Sequence, residues 1–206
     1  MKKRINILLT LFLSLTSVNL IAETEGSDPV SLVIKTNGTI FTELNENYEM
    51  YESNPATLQA FIHSDLVPLL DVHYSARLIL GRAGRGIENA KVEEFSQAMI
   101  DRLVNRYSNG LLQFRSPEPL VVLPQRGDLN EKLTRVRTRV KLPSGGEVPI
   151  DYAFHKTSEG WKAFDVIVEG ISYVTTFRNQ IMPDVQANGI DSVITRLTSG
   201  ELELSE

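Results

Sequence analysis

The stretch Thr134-Arg135-Val136-Arg137-Thr138-Arg139-Val140-Lys141-Leu142 decides the fold. Its basic residues alternate with apolar residues and threonine. Because successive side chains of a β-strand point to opposite faces, this pattern predicts a strand with one largely apolar face and one basic face. Other elements must cover the apolar face. The basic face has two interpretations: cross-strand ion pairs, each worth roughly 0.2–1 kcal/mol, or a docking patch.

Two further alternating segments follow this strand. The turns at 143–146 and 157–160 are too short for crossover connections, so the strands are predicted to form an antiparallel meander. A short strand at 120–123 precedes them, and Ile167 is expected on the outward face with the polar residues. The inward positions of the later strands are predicted to be Val148, Ile150, Tyr152, Phe154, Phe164, Val166 and Val168.

Helical periodicity dominates the chain before this sheet. Asp28-Pro29 and Asn54-Pro55 each combine an N-cap residue with a proline in the first turn. Pro68 is expected to interrupt the second helix, and a third helical piece, Val72 to Leu80, stops at Gly81. The first helix is predicted to bury Val30, Ile34, Asn37, Phe41, Leu44 and Tyr48, in which Asn37 is the one polar gap.

A long helix then runs to Asn109-Gly110 or one turn beyond, and two more helices follow the sheet. Gly170 precedes the first of these and Gly189 separates them. Helices in the first half and strands in the second predict a single α+β domain over residues 23–200. Residues 201–206 form an acidic tail that is expected to fray.

The N-terminus has the order of a secretory signal peptide. Lys2, Lys3 and Arg4 precede an apolar run from Ile5 to Leu15, and Ala22 is the expected last residue removed. The run is shorter than the roughly 20 residues that a membrane-spanning helix needs. The sequence therefore predicts export after removal of residues 1–22.

Charge and cysteine content narrow the class of the exported protein. Without residues 1–22, the 21 basic residues become 18 against 26 acidic ones, a formal net charge of −8. An acidic chain of this kind is a poor nucleic-acid binder. The chain has no Cys, so its stability must come from a hydrophobic core without disulfides.

A search for catalytic and metal-binding patterns finds none. No two of the three histidines, His63, His73 and His155, have the four-residue helical spacing of a metal site. His63-Ser64-Asp65 contains the residue types of a catalytic triad, but adjacent residues on a helix point apart. We therefore predict no catalytic residues and no metal site.

The segment Gly81-Arg82-Ala83-Gly84-Arg85-Gly86 superficially resembles a phosphate loop. It lacks the Gly-Lys-Ser/Thr ending of a P-loop and does not follow a strand. Its two arginines contact a phosphate or a partner in one interpretation. In the other, the segment only connects two helices.

Three groups of residues occur in an order typical of one family. Trp161-Lys162-Ala163-Phe164-Asp165-Val166-Ile167-Val168-Glu169-Gly170-Ile171-Ser172 fits a block with the pattern W-x-x-(Y/F)-D-(aliphatic)-x-x-E-G-(aliphatic)-S. Earlier come Leu66-Val67-Pro68-Leu69-Leu70-Asp71 with Leu78-Ile79-Leu80-Gly81-Arg82, and then Phe95 with Tyr107. Together they resemble the MlaC family, also called the toluene-tolerance protein family, over essentially the whole mature chain.

The resemblance implies a periplasmic phospholipid-binding protein of a Gram-negative bacterium. The implied fold is nuclear-transport-factor-2-like, with amphipathic helices packed on a curved antiparallel sheet and an apolar cavity between them. The implied role is to carry phospholipid between an outer-membrane lipoprotein–porin complex and an inner-membrane ABC transporter with MCE-domain subunits, which maintains outer-membrane lipid asymmetry. The phospholipid would be cargo, no cofactor would be needed, and the protein would be a monomer.

Facing direction and the resemblance together predict which residues line the lipid cavity. The strand residues are taken from the apolar face and the helical residues from the predicted inner stripes. The predicted lipid-binding residues are Val72, Ile79, Met99, Leu103, Val140, Tyr152, Phe154, Val166, Val168, Tyr173, Val174 and Phe177.

Two alternatives to a carrier stay open at the level of sequence. The first is an enzyme on the same fold, which would need a titratable group among the inward positions. Those on the strands contain none except the Tyr152 hydroxyl, so we predict that the chain is not an enzyme. The second alternative is a periplasmic protein-binding adaptor with a solid core and no ligand.

Overall fold

A computed structural model describes residues 28–112, 120–124, 132–142 and 145–204. The predicted signal peptide at 1–22, Pro143 and Ser144 of the first predicted turn, and the last two tail residues lie outside this part of the chain. Within it, no helix is both long and apolar enough to cross a bilayer.

The described part of the chain folds into helices followed by a sheet and two further helices. A π-helical segment, Ile62–Leu66, and 3₁₀ turns at Val67–Leu69 and Gly81–Gly84 flank the fourth helix. Helices α1 to α7 span Pro29–Glu46, Tyr48–Ser53, Pro55–Phe61, Val72–Leu80, Asn89–Leu111, Tyr173–Asn188 and Ile190–Ser199. Strands β1 to β5 span Val121–Val122, Leu133–Lys141, Glu147–Thr157, Gly160–Val168 and Ile171–Ser172.

The predicted helix starts and stops are confirmed. The Asp28 carboxylate accepts hydrogen bonds from the backbone N–H groups of Val30 at 2.9 Å and Ser31 at 3.1 Å, with Pro29 in the first turn. Pro55 begins α3, and Gly81 ends α4. Pro68 lies in the short 3₁₀ turn where the second helical pattern breaks.

Two sequence predictions are wrong, one about the inner face of α1 and one about the C-terminal tail. Val33 takes the inward position of α1, with 4% exposure, whereas Ile34 is 55% exposed. The tail does not fray before residue 205, because Leu204 is fully buried and its carbonyl accepts a hydrogen bond from the Tyr107 hydroxyl at 2.9 Å.

The sheet is a five-stranded antiparallel meander in the order β1-β2-β3-β4-β5. Val136 lies opposite Tyr152, which lies opposite Val166, so these three side chains share a face. The α+β class and the antiparallel sheet are therefore confirmed. The face that they share also carries Val140, Val148, Ile150, Phe154, Ala163 and Val168.

A β-bulge changes the predicted facing of one aromatic residue. The register between β3 and β4 shifts at Ala153 and Phe154, and an extra residue in one strand reorients the side chains around it. Phe164, predicted to point inward, instead contacts Tyr74 and His155 edge-to-face. This contact lies on the other face of the sheet, because His155 follows Phe154 in the strand.

The second face of the sheet is not solvated along its whole width. Helices α4 and α6 contact β4, and Ile167, expected among the outward polar residues, is only 6% exposed. On β2, Arg135 forms an ion pair with Asp151 at 2.8 Å. The guanidinium groups of Arg137 and Arg139 donate to backbone carbonyls. The predicted cross-strand ion pairs therefore account for only part of this face, and helices and backbone carbonyls contact the rest.

The core consists of three apolar clusters. The sheet cluster joins α1 to the apolar face of the sheet through Val33, Leu120, Val136, Val140, Phe154 and Ala163. A third, smaller cluster joins α1, α2 and α3 around Leu44, Tyr51 and Leu58. The helical cluster joins α4 to α7 and contains Ala76, Ile79, Leu80, Val92, Phe95, Ala98, Met99, Val174, Phe177, Ile181, Val185, Val193, Ile194, Leu197 and Leu204.

Candidate functional site

The apolar face of the sheet is only partly covered. Helix α1 packs over β2 with Val33 at the centre of its contact. Val166 and Val168 on β4 are half-buried and lie outside the three clusters. Ile171, which pairs with Val168 on the same face, is 57% exposed. Val166, Val168 and Ile171 form an apolar patch on the sheet beside α1 and the start of α6.

One polar pair crosses between α1 and the sheet near this patch. The Asn37 amide donates a hydrogen bond to the Val33 carbonyl at 2.8 Å, and its side chain is close enough to the Tyr152 hydroxyl to influence its pKa. Burial raises the pKa of the Tyr152 hydroxyl above its ordinary value, and the Asn37 side chain opposes that shift in part. The polar gap in the α1 stripe is therefore matched by a polar group on the strand, and the hydroxyl stays neutral.

The predicted lipid-binding residues divide between the two large clusters. Those of the sheet either belong to the sheet cluster or lie in the apolar patch. Those of the helices, apart from Val72, belong to the helical cluster or pack against it, and Ile79, Met99 and Phe177 are at most 3% exposed. On the sheet lie Val140, Tyr152, Phe154, Val166 and Val168, and in the helical cluster lie Ile79, Met99, Leu103, Tyr173, Val174 and Phe177.

Val72 belongs to neither cluster and lines a cleft of about 510 Å³ between α4, α5 and the β3–β4 turn. Its walls are largely polar and include Asp71, His73, Glu93 and Lys162. The paired groups His73 and Glu93 are 3.0 Å apart. Charged walls of this kind are unsuited to acyl tails, because a charge buried against hydrocarbon loses its hydration.

Each of the three histidines has a carboxylate partner. His63 pairs with Asp101 at 3.5 Å, His73 with Glu93, and His155 with Asp71 at 2.9 Å. His155 also stacks on Tyr74 at 4.2 Å between ring centroids, which holds α4 against β3. The residues that the structure describes contain no group of three or more His, Asp or Glu side chains that could hold a metal ion.

The Trp161–Ser172 block has a clear structural purpose. Glu169 and Gly170 both have positive φ, 52° and 88°, as the two-residue turn between β4 and β5 requires. The Asp165 carboxylate accepts hydrogen bonds from the Ser172 hydroxyl at 2.6 Å and from the Val174 N–H at 3.0 Å. These residues fix the start of α6 at the edge of the sheet, next to the apolar patch.

Two residues of the candidate site were missed by the sequence analysis. Val33 was missed because the predicted stripe passed through its neighbour Ile34. Ile171 was missed because it was assigned to no strand, although Glu169-Gly170 before it is a usable hairpin signal. Val33 directly precedes the predicted stripe residue Ile34, and Ile171 pairs with the predicted residue Val168.

Comparisons with known proteins agree with this architecture. A family model described as MlaC protein matches residues 35–199. The toluene tolerance protein ttg2D of Pseudomonas putida is 27% identical over 164 residues, which cover 79% of this chain and 75% of that protein. The intermembrane phospholipid transport system binding protein MlaC of Haemophilus influenzae is 22% identical over 182 residues, covering 86% of this chain and 82% of that protein.

A solved structure shares the fold. It is the phospholipid-binding protein from Ralstonia solanacearum in complex with a phospholipid, with a TM-score of 0.71, 19% identity, and coverage of 81% of this chain and 95% of that chain. At this identity the likeness concerns the fold, and it agrees with the predicted nuclear-transport-factor-2-like class. Because the family model matches well over half of the sequence, the chain belongs to the MlaC family.

Proposed function

We propose that this protein is a phospholipid carrier that binds acyl tails at the apolar face of its sheet, next to α1. The observation that carries the proposal is the apolar patch of Val166, Val168 and Ile171, which the described residues leave half-buried or, at Ile171, exposed. An apolar surface that a folded chain leaves partly open commonly marks a ligand or partner site. Membership of the MlaC family supports a phospholipid as the ligand.

A carrier of this kind meets a physical need. Exposing acyl tails to water costs about 0.8 kcal/mol per methylene, so two ordinary tails cost on the order of 20 kcal/mol. Free diffusion of a phospholipid through water is therefore negligible. A protein need only offer a dry surface that resembles hydrocarbon, and it must bind weakly enough to release its cargo to a membrane or a partner.

The wider setting belongs to the same proposal. The predicted signal peptide places the mature protein in the periplasm, where it is a monomer. There it carries phospholipid between the outer-membrane lipoprotein–porin complex and the inner-membrane ABC transporter with its MCE-domain subunit. Support for this setting comes from the N-terminal sequence and the family membership, and no observation favours an enzyme or a ligand-free adaptor over it.

The test compares two valine substitutions on opposite faces of the sheet. Val166→Glu places a carboxylate in the apolar patch, whereas Val121→Glu places one on the other face, where Val121 lies opposite Arg139 and is 45% exposed. Native mass spectrometry of the gently purified proteins measures bound phospholipid, and circular dichroism checks folding. Val140 is a poor choice for this test, because it is 2% exposed in the sheet cluster and a charge there would unfold the protein.

We expect bound phospholipid in the wild type and in Val121→Glu, and at least a tenfold lower occupancy in folded Val166→Glu. Equal occupancy in both folded variants would show that the tails lie elsewhere. A wild type that carries no lipid and takes none up from vesicles would point to the ligand-free adaptor.

A further inference from the structure

The turn from Gly81 to Gly86 carries two arginines that the proposed function does not use. Arg82 and Arg85 are both exposed, and neither side chain has a hydrogen-bond or ion-pair partner among the described residues. Gly81–Gly84 is a 3₁₀ helix, and Arg85 follows it with an extended backbone. The two guanidinium groups are therefore carried three residues apart by one short turn.

Two further arginines lie close to this turn. Arg77 donates to the carbonyls of Gly84 at 3.5 Å and Ile87 at 3.4 Å. The Nε of Arg178, on α6, donates to the Leu78 carbonyl at 2.6 Å. Both guanidinium groups bond to carbonyl oxygens here and not to carboxylates, so their positive charge is not neutralised locally.

The segments that flank the turn are poor in acidic residues, and Glu88 is the first that follows it. Residues 72–87 and 173–183 carry no Asp or Glu, although the chain has 26 acidic residues. Exposed charges more than a Debye length away, about 8 Å at physiological ionic strength, are largely screened. Glu88 offsets part of the charge, and Arg77, Arg82, Arg85 and Arg178 together still leave a local excess of positive charge, although the chain as a whole is acidic.

The shape of the turn is specified by its glycines. A Cβ on Gly84 would lie 2.8 Å from the Leu80 Cβ, so only glycine allows this close approach. Gly81 and Gly86 have positive φ, +52° and +81°, which glycine adopts most readily. The arginines are therefore presented by a defined backbone, and the planar, multidentate guanidinium group is well suited to phosphate.

We propose that Arg82 and Arg85, with Arg178 beside them, bind a phosphate group. Arg178 lies five residues beyond Tyr173 on α6, which is about 7.5 Å of helix rise from the sheet end of that helix, where Ile171 is exposed. Because α4 and α6 contact β4 from the other face, a lipid whose tails lie on the apolar patch must pass the sheet edge at β5 for its phosphate to meet the turn. That this phosphate belongs to a lipid headgroup rests on the proposed function. Free inorganic phosphate is the alternative ligand with the same chemistry.

The experiment separates the phosphate from the tails. Wild type, Arg82→Glu/Arg85→Glu and Lys35→Glu/Arg106→Glu are incubated with vesicles containing dioleoyl phosphatidylglycerol or dioleoylglycerol, and native mass spectrometry measures the bound lipid. The control pair reverses two exposed cations elsewhere and gives the same net charge. Titration calorimetry with inorganic phosphate tests the second source.

We expect Arg82→Glu/Arg85→Glu, the arginine-turn variant, to show about tenfold lower phosphatidylglycerol occupancy than the wild type. This loss corresponds to two charge-assisted hydrogen bonds at an exposed site. The variant should bind dioleoylglycerol like the wild type. The control pair should match the wild type with both lipids. Unchanged phosphatidylglycerol binding by the variant would overturn the inference and leave the carrier function intact. A third outcome is that the wild type takes up no lipid but releases heat on binding phosphate, and the arginine-turn variant does not. This result would support the site with free phosphate as its ligand and contradict the carrier function.

Discussion

Asp165 shows how one side chain can set the position of a helix. Its carboxylate bonds the Ser172 hydroxyl and the Val174 N–H, and the Ser172 hydroxyl in turn accepts from the Thr175 N–H at 3.0 Å. The first turn of a helix has N–H groups without intrahelical partners, and here two of them are satisfied by this network. The Asp and Ser of the family block therefore have a structural role that needs no ligand.

Replacing Asp165 tests this role. We expect Asp165→Ala to lower the free energy of unfolding by about 2 kcal/mol, since it leaves the Val174 N–H unpaired and frees the Ser172 hydroxyl. Asp165→Asn keeps one acceptor oxygen and should lose less. Urea denaturation followed by circular dichroism measures both.

The control for this measurement is Asp191→Ala, which removes an exposed carboxylate, 80% accessible, from its ion pair with Lys91. Its unfolding midpoint should stay near that of the wild type, because exposed ion pairs stabilise little. Equal destabilisation by Asp165→Ala and Asp191→Ala would contradict the special role of Asp165.

Single residues could be predicted from the sequence where their surroundings are local. Asn37 was recognised as a polar gap in an apolar stripe, but its partner Tyr152 lies more than a hundred positions later, and only the fold brings them together. Phe164 was placed on the wrong face because a β-bulge adds one residue to the strand. Sequence alternation alone does not reveal such an insertion.

The elements follow most closely from local signals. Val72–Leu80 begins and ends where the sequence predicts, because the Asp71 side chain caps its start and Gly81 ends it. The choice of Val33 over Ile34 on the inner side of α1 was less predictable, since both are aliphatic and only packing against β2 selects between them. The same holds for the docked tail, whose burial depends on the Tyr107 hydroxyl and the helical cluster.

Gly84 gives a test of packing at the level of elements. Gly84→Ala brings a Cβ within 2.8 Å of the Leu80 Cβ, and neither atom lies at the end of a flexible side chain. We expect a loss of about 1–3 kcal/mol in the free energy of unfolding, as for other overpacked sites. Thermal and urea denaturation measure the change.

Gly38→Ala is the matched control, because Gly38 lies within α1 and a Cβ there would meet nothing within 4 Å. Alanine favours a helix over glycine by up to about 1 kcal/mol, so this variant should be slightly stabilised. Stabilisation by both substitutions would show that the turn after α4 relaxes freely.

The whole molecule differs from the sequence expectation in having its apolar residues in separate clusters. The predicted cavity drew on the sheet face and on α4, α5 and α6 as if they enclosed one space. In the structure, Ile79, Met99 and Phe177 pack with other helical residues, whereas Val140 and Phe154 pack with α1. Periodicity identifies which side of an element is apolar, but it does not reveal which other element covers that side.

Hydrogen exchange can decide which cluster receives the acyl tails. If they bind at the apolar patch, they contact β3, β4 and the flank of α1, while α5 and α7 are already packed in the helical cluster. We expect dioleoyl phosphatidylglycerol to slow amide exchange in α1 and β4, with little change in α5 and α7. Mass spectrometry of peptides from the lipid-loaded and lipid-free protein measures the difference.

The opposite pattern has an equally definite meaning. Strongest protection in α5 and α7 would require the helical cluster to open, since Phe95 and Val193 within it have no exposed surface and a closed, densely packed core has no room for a tail. Ile79, Met99 and Phe177 would then line the site, and the sheet residues would be ordinary core. The sheet cluster that holds α1 has fewer buried residues than the helical cluster, which joins four helices. Opening at α1 therefore requires the loss of fewer apolar contacts, and we expect the lipid to enter there.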